Sequence, residues 1–388
     1  MQFKDIIGQR VLINQLTEII DSGRISHAQL FLGQNGYGSL ALAIAYAQYL
    51  NCQNRHHYEE GSELRADSCG QCPSCLQYQQ LAHPDLHLYF PNATNTRVKE
   101  KPTSTQFITE FRDYMAQCGQ YAEVAEWMDF IKSENKQGII NVNDAREALT
   151  ALSYKPYMAP YKVAVFWMAE KMNPESANAL LKIIEEPMSR TLILLVAEKS
   201  DKMLSTIISR TQLVQVGKID NASLLSALQK RNPEQNDMQR LQFAAASGEG
   251  DIIEAQNALV HNEEHELFTE IFVTWMRQLF KLNMATLSDI TSRIHEMGRE
   301  QEKRFLLFCM DALRACCLKT AAGIELSHKL QFGDEKFNAS FAAYITPNNI
   351  TQLTDEFNNT LYAIERNAYG KLAFMNLSFS ISKLLKKR

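Results

Sequence analysis

The sequence predicts an α/β domain on a parallel sheet, followed by helical domains, and three observations carry that reading. Short apolar runs at 28–32, 163–167 and 192–196 alternate with helical stretches. Runs that are apolar throughout suit strands buried on both faces. A glycine-punctuated turn at 33–38 joins the first run to an Ala-rich helix at 40–50. From about Lys218 the strand signals stop, and apolar residues recur at helical spacing only. At 388 residues the chain is long enough for several domains. The expected division is 1–217, 218–262 and 263–388.

In order, Ile13, Leu16, Ile19 and Ile20 mark a first helix, and the strand at 28–32, the turn and the helix at 40–50 follow. Residues 52–75 are rich in cysteine and polar side chains. Residues 92–138 are polar, carry irregularly spaced aromatics and read as an inserted helical hairpin. The strand at 163–167, a helix at 174–186 and strands at 192–196 and 212–216 complete the sheet. Three short helices, 221–230, 238–247 and 251–259, make a small second domain. Longer helices at 267–280, 302–319, 350–364 and 371–385 make an all-helical third. The last puts Leu372, Met375 and Phe379 on one face, as subunit contact or ordinary core packing would require.

Composition narrows the function. Hydrophobic residues at 45% and charged residues at 22% exclude a disordered or fibrous chain. A net charge of −4 gives the whole chain no field to hold it on DNA unaided. No apolar run approaches the roughly 18 residues of a membrane span, and the start, MQFKD, lacks a signal-peptide core. A cytoplasmic location without a membrane partner is expected, with the eight cysteines reduced or metal-bound.

Gly33-Gln-Asn-Gly36-Tyr-Gly38-Ser39-Leu40 stands between a predicted strand and helix, the context of a phosphate-binding loop, G-x-x-x-x-G-K-[ST]. Gly33 and Gly38 keep the spacing. Ser39 replaces the lysine that reaches the β/γ-phosphates, and Leu40 the hydroxyl that holds Mg²⁺. Gly33, Gly36, Gly38 and Ser39 could still cradle a phosphate on backbone N–H groups, and a plain Gly-rich turn fits equally. The strand that should end in metal-binding and water-polarising acids ends in Trp167 and Met168, with Glu170 two residues on. Without charge neutralisation at the γ-phosphate, hydrolysis is not expected.

Cys69-Gly-Gln-Cys72-Pro-Ser-Cys75 makes two successive C-x₂-C steps, with Cys52 upstream. Four thiolates close a tetrahedral structural shell around Zn²⁺. Unrelated reduced cysteines, a redox pair, or ligation by His56 or His57 are the alternatives.

The order of motifs is itself informative. Phe3-Lys-Asp-Ile-Ile-Gly-Gln9, Ser26-His27-Ala28-Gln29-Leu30-Phe31, the loop, the cysteine cluster, Asn178-Ala-Leu-Leu-Lys182-Ile-Ile-Glu-Glu-Pro187 and Thr206-Ile-Ile-Ser209-Arg210-Thr211 together resemble bacterial clamp-loader subunits of the AAA+ superfamily. The resemblance is dense over 1–217, apart from 92–138, and architectural beyond. It implies an AAA+ P-loop domain with an inserted zinc module at 52–75, a small helical lid and an all-α collar. The family's ATPase subunits also carry a Thr in the region 195–198 and an Arg where this chain has Asp251. These losses are similar to those of the delta-prime class, which implies a non-hydrolysing subunit with low nucleotide occupancy. The implied partners are gamma/tau and delta subunits, with sliding clamp and primer–template DNA reached through the complex. The resemblance also implies that Arg210 acts in trans as an arginine finger on a neighbour's nucleotide. An active gamma/tau-like ATPase using Glu170 is the competing reading, and a free-standing zinc-ribbon nucleic-acid binder is a third.

Overall fold

The computed structural model describes the chain except residues 120, 134–135, 236, 261, 323–334, 367 and 387–388. It forms two compact units, Met1–Gln256 and Asn257–Arg388. The strands are β1 (Ala28–Leu32), β2 (His56–His57), β3 (Ala66–Asp67), β4 (Leu86–Tyr89), β5 (Lys162–Trp167), β6 (Thr191–Ala197) and β7 (Gln212–Gln215). Among the described residues, five of them make one parallel sheet in the order β4-β5-β6-β1-β7. β2 and β3 pair antiparallel as a separate ribbon.

Period-two alternation divides the core between the two faces of the sheet. Leu192, Leu194 and Val196 of β6 join Val163, Val165 and Trp167 of β5 on one side. Ile193, Leu195 and Ala197 join Ala164 and Phe166 on the other. Both strands are buried along their whole length, so their sequences read as continuous apolar runs. β4 was not anticipated: among the described residues it is an edge strand paired only with β5, and its Leu-His-Leu-Tyr sequence carries no such run.

Helices α1 (Arg10–Asp21) and α2 (Ser39–Leu50) belong to the first face, and every residue of α2 is buried. A helix apolar all round needs cover on all sides. After α3 (Pro73–Gln79), α4 (Ile108–Gln117) and α5 (Val124–Phe130) form the hairpin expected within 92–138. Its irregular aromatics converge on one cluster. Phe90 and Phe111 stack at 3.9 Å, with Trp127 edge-on to both at 5.3 and 5.2 Å. The Trp127 indole N–H donates to Pro91 O at 2.7 Å. Asp144 holds the start of the insertion, accepting from Ser104 N at 2.6 Å and Asn92 Nδ2 at 3.1 Å. The opposite face carries α6 (Val142–Ser153) and α7 (Pro174–Glu185), each opened by an asparagine cap, Asn141 and Asn173. Next come α8 (Ser205–Ile208), α9 (Asn221–Arg231), α10 (Met238–Ser247) and α11 (Ile252–Val260). The helices expected to form a separate lid fall largely within the first unit, whose boundary lies inside α11.

The second unit is helical: α12 (Asn262–Lys281), α13 (Met284–Glu296), α14 (Arg299–Ala322), α15 (Glu335–Ala342), α16 (Ile350–Glu365) and α17 (Gly370–Lys386). Its core gathers around fully buried Trp275, whose indole N–H donates to Ser378 Oγ at 2.9 Å. The sequence missed α13 because threonines and serines interrupt its apolar stripe, yet Leu287, Ile290 and Ile294 still face inward. In α17 the buried stripe is Phe374, Leu377, Ile381 and Leu385. Of the expected face only Leu372 is exposed, at 68%, while Met375 is partly buried against the core and Phe379 is half-buried. No helix among the described residues is long and apolar enough to cross a membrane.

Candidate functional site

β1 lies between β6 and β7, and its C-terminal end delivers residues 33–38 to the start of α2. Crevices at such strand ends are where open α/β sheets bind ligands. The loop is packed tightly. Gly33 N–H donates to Ala197 O at 3.0 Å, and a Cβ at Gly33 would lie 2.5 Å from Val216 O. Gly38 adopts φ +88°, a left-handed conformation suited to glycine, and a Cβ there would lie 2.9 Å from the Tyr121 ring. Ser39, in the lysine position, is buried and donates from Oγ to Gly33 O at 3.2 Å. Its hydroxyl closes the loop on itself.

Carboxylates meet the loop's outward backbone. Asn35 N–H donates to Glu198 Oε1 at 3.2 Å. The Asp251 carboxylate packs against the Gly36 backbone and fills the space a Gly36 Cβ would need. Asp251 Oδ1 also caps α11, accepting from Ile253 N at 2.8 Å and Glu254 N at 3.1 Å. Burial pushes the Asp251 carboxyl up. Glu123 from the insertion is raised as well, first by burial and then by Glu126, Glu254, Asp251 and Glu198. The surroundings of the loop are therefore acidic, the opposite of a polyphosphate site.

The two side chains in the acidic positions of the second strand bind the loop instead. Trp167 Nε1 donates to Asn35 Oδ1 at 3.2 Å, and Asn35 Nδ2 lies 3.5 Å from Met168 Sδ. Glu170 braces the end of β6, accepting from Glu198 N at 2.9 Å through Oε1. Its Oε2 is buried without a hydrogen-bond partner, and burial raises its carboxyl. Tyr121 is a residue the sequence did not single out, because nothing in its spacing distinguishes it from the other aromatics of the insertion. Its buried ring lies against Gly38, its hydroxyl accepts from Ile7 N at 2.9 Å, and Arg231 of α9 sits over it at 5.0 Å.

Cys52, Cys69, Cys72 and Cys75 come together with their four sulfurs within 4.8 Å of one another. Zn–S bonds of about 2.3 Å give a tetrahedron with edges of about 3.8 Å, and Cys69 Sγ lies 3.9 Å from Cys75 Sγ. Backbone N–H groups point at the sulfurs: Cys69 N to Cys52 at 3.2 Å, Cys72 N to Cys69 at 3.3 Å and Cys75 N to Cys72 at 3.4 Å. Such donors favour thiolates. The hydrogen bond from Cys75 is the main cause holding Cys52 down at about 5, and the same bond pushes Cys75 up. The donor set fits Zn²⁺. Cys72 and Cys75 open α3, as a redox pair would, but two further sulfurs share the same space. His56 and His57 lie exposed on β2, outside the cluster. Asp67, one more unanticipated residue, anchors the module by accepting from Phe3 N and Lys4 N at 2.9 and 3.0 Å.

Arg210 follows α8 and precedes the edge strand β7. Its Nε lies 2.7 Å from Glu185 Oε1, both side chains being nearly half exposed, and its Nη1 donates to Thr206 O at 3.1 Å. His27 caps nothing in the loop; its Nε2 lies 2.8 Å from Ile184 O near the end of α7.

The chain is similar to known proteins. The gamma subunit of DNA polymerase III from Buchnera aphidicola is 25% identical over 67% of this chain and 58% of its own. The delta' subunit of DNA polymerase III from Bacillus subtilis is 28% identical over 50% of this chain and 43% of its own. The chain thus spans roughly half the length of these relatives. A solved gamma-subunit-related protein of Thermotoga maritima overlays with TM-score 0.39 at 14% identity, covering 96% of this chain and 100% of that one. A family model described as "DNA polymerase III, delta subunit" matches residues 8–220, more than half of the sequence, including the loop, the cysteine cluster and Arg210. This chain belongs to that DNA polymerase III, delta subunit family.

Proposed function

We propose that this chain is a delta-prime-like subunit of a DNA polymerase III clamp loader, hydrolysing no ATP itself while supporting sliding-clamp loading onto primed DNA. The observation that carries it is Ser39, a hydroxyl turned back onto Gly33 O where a lysine would meet the β/γ-phosphates. Phosphoryl transfer depends on charge neutralisation that this loop does not offer. Its partners are the gamma/tau and delta subunits, and the clamp and primer–template DNA through them, in the cytoplasm. The exposed Leu372 of α17 suits a contact between subunits in a collar.

Arg210 is the group this chain contributes to hydrolysis, as an arginine finger on a neighbour's γ-phosphate. Half-exposed ion pairs such as Arg210–Glu185 are weak, about 0–1 kcal/mol, so a phosphate outcompetes Glu185. Only the planar guanidinium makes two aligned bonds to phosphate oxygens. Cys52, Cys69, Cys72 and Cys75 hold one structural Zn²⁺, which when bound cross-links the loops that carry them.

The test is a reconstituted loader containing gamma/tau, delta, clamp and primer–template. The isolated chain should show no ATPase above a buffer control. Arg210→Ala should lower clamp- and DNA-stimulated hydrolysis by the complex by roughly tenfold or more, with Arg210→Lys only partly active. Unchanged hydrolysis and loading would reject the finger. The gamma name of one relative favours a second reading, an active gamma/tau-like ATPase using Glu170. Robust turnover by the isolated chain would establish that reading, although Glu170 is committed to the Glu198 backbone.

A further inference from the structure

The nucleotide loop and the insertion meet at one place, and that meeting gives the insertion a role. Tyr121 stands between α4 and α5, two helices joined by the Tyr114–Trp127 contact. Its ring packs against Gly38 of the loop, and the Arg231 guanidinium carbon lies 5.0 Å from the ring centroid. Its hydroxyl takes the Ile7 N–H. A buried flat ring against a loop glycine and a cation, with its hydroxyl accepting a backbone N–H, offers the shape and one acceptor of a nucleobase. Further into the crevice, Glu198 accepts from Asn35 N–H and the Asp251 carboxylate lies against the Gly36 backbone, where phosphate oxygens would otherwise sit. The position of Asp251 follows the same logic. Where ATPase relatives are expected to place an arginine to meet a phosphate, this chain places a carboxylate that replaces one.

We propose that the chain plugs its own nucleotide crevice, Tyr121 standing in for the base and Glu198 and Asp251 for the phosphates. The plug ties the segment at Ile7, the loop and α9 into one closed, nucleotide-free arrangement. Loss of the lysine is then one of two barriers to binding; the other is that the space and the donors are already taken. The proposal rests on reading 33–39 as a relic nucleotide loop. The amide protection described next does not depend on the subunit role, so a failure of clamp loading would leave it untouched.

The test uses the full chain in two arms. Hydrogen exchange reads the plug directly. Tyr121→Ala should speed exchange of the Ile7 amide at least tenfold, and Asp251→Ser should do so for Gly36 while keeping a capping side chain on α11. Exchange at either amide unchanged by its variant would overturn the proposal. The second arm titrates a fluorescent ATP analogue with Mg²⁺. A chain carrying only Ser39→Lys should remain unable to bind, and adding Tyr121→Ala with Asp251→Ser should tighten binding at least tenfold. Binding by the Ser39→Lys chain as tight as by the triple variant would show that the crevice was open and the missing lysine was the whole barrier.

Discussion

Truncating Trp127 tests whether one aromatic anchor holds the insertion in place. The side chain is fully buried, packs against Phe90, Phe111 and Tyr114 and donates its indole N–H to Pro91 O. Trp→Ala changes at such sites cost about 3–5 kcal/mol, from lost transfer energy and the cavity left behind. Trp127→Phe should cost about 1–2 kcal/mol, mostly for the Pro91 carbonyl left without its donor. At about 1.4 kcal/mol per decade, the alanine variant should raise the opening equilibrium of α4 and α5 by roughly two to three and a half orders of magnitude. Hydrogen exchange by mass spectrometry resolves these helices from β5 and β6, which makes it preferable to a single melting temperature in a chain of two units. The Ile7 amide should lose protection together with α4 and α5, because Tyr121 travels with them. A change of less than about tenfold in α4–α5 exchange would refute the anchoring argument.

Other outcomes follow from single groups. Burial, and then Lys162, lower the His87 imidazole from 6.5 to about 4, with Asp85 opposing them. Neutral histidine is favoured in the fold, so stability is complete above pH 6.5 and falls towards pH 4. The loss is of the order of 3 kcal/mol, and His87→Leu should flatten that part of a urea-denaturation pH series. Gly36→Ala drives a methyl group into the Asp251 carboxylate and should destabilise the first unit by about 1–3 kcal/mol, with Asp251→Ser in the same chain restoring much of it in urea melts. Cys72→Ser, or a strong chelator, should remove one zinc per chain by metal analysis and loosen the segment held by Asp67. Less than about half a zinc per chain in metal-replete protein would reject the zinc site.

Much of this protein was legible from local pattern. β5 and β6 read as strands because both their faces are buried, and the spacing of Cys69, Cys72 and Cys75 announced a cluster whose sulfurs the fold brings within 4.8 Å of one another and of Cys52. The losses at Ser39, Trp167 and Met168 were visible because a phosphate loop specifies residue types at fixed offsets. β4 escaped because an edge strand needs only one partner, and α13 because threonine and serine blur a stripe that packing still recognises. The face of α17 that meets the core was also beyond the sequence, since two apolar stripes compete there and only neighbouring helices choose between them.

The sequence by itself determined which residues stand at the motif's positions, Ser39 in place of the lysine and Trp167 and Met168 in place of two acids, since that is a matter of residue identity. Only the tertiary structure decided what fills the loop. Tyr121, Glu198 and Asp251 lie far apart along the chain and obey no common spacing. They meet because the insertion, the end of β6 and the start of α11 are each packed against the same strand end, and buried N–H groups take whatever acceptors the fold brings to them.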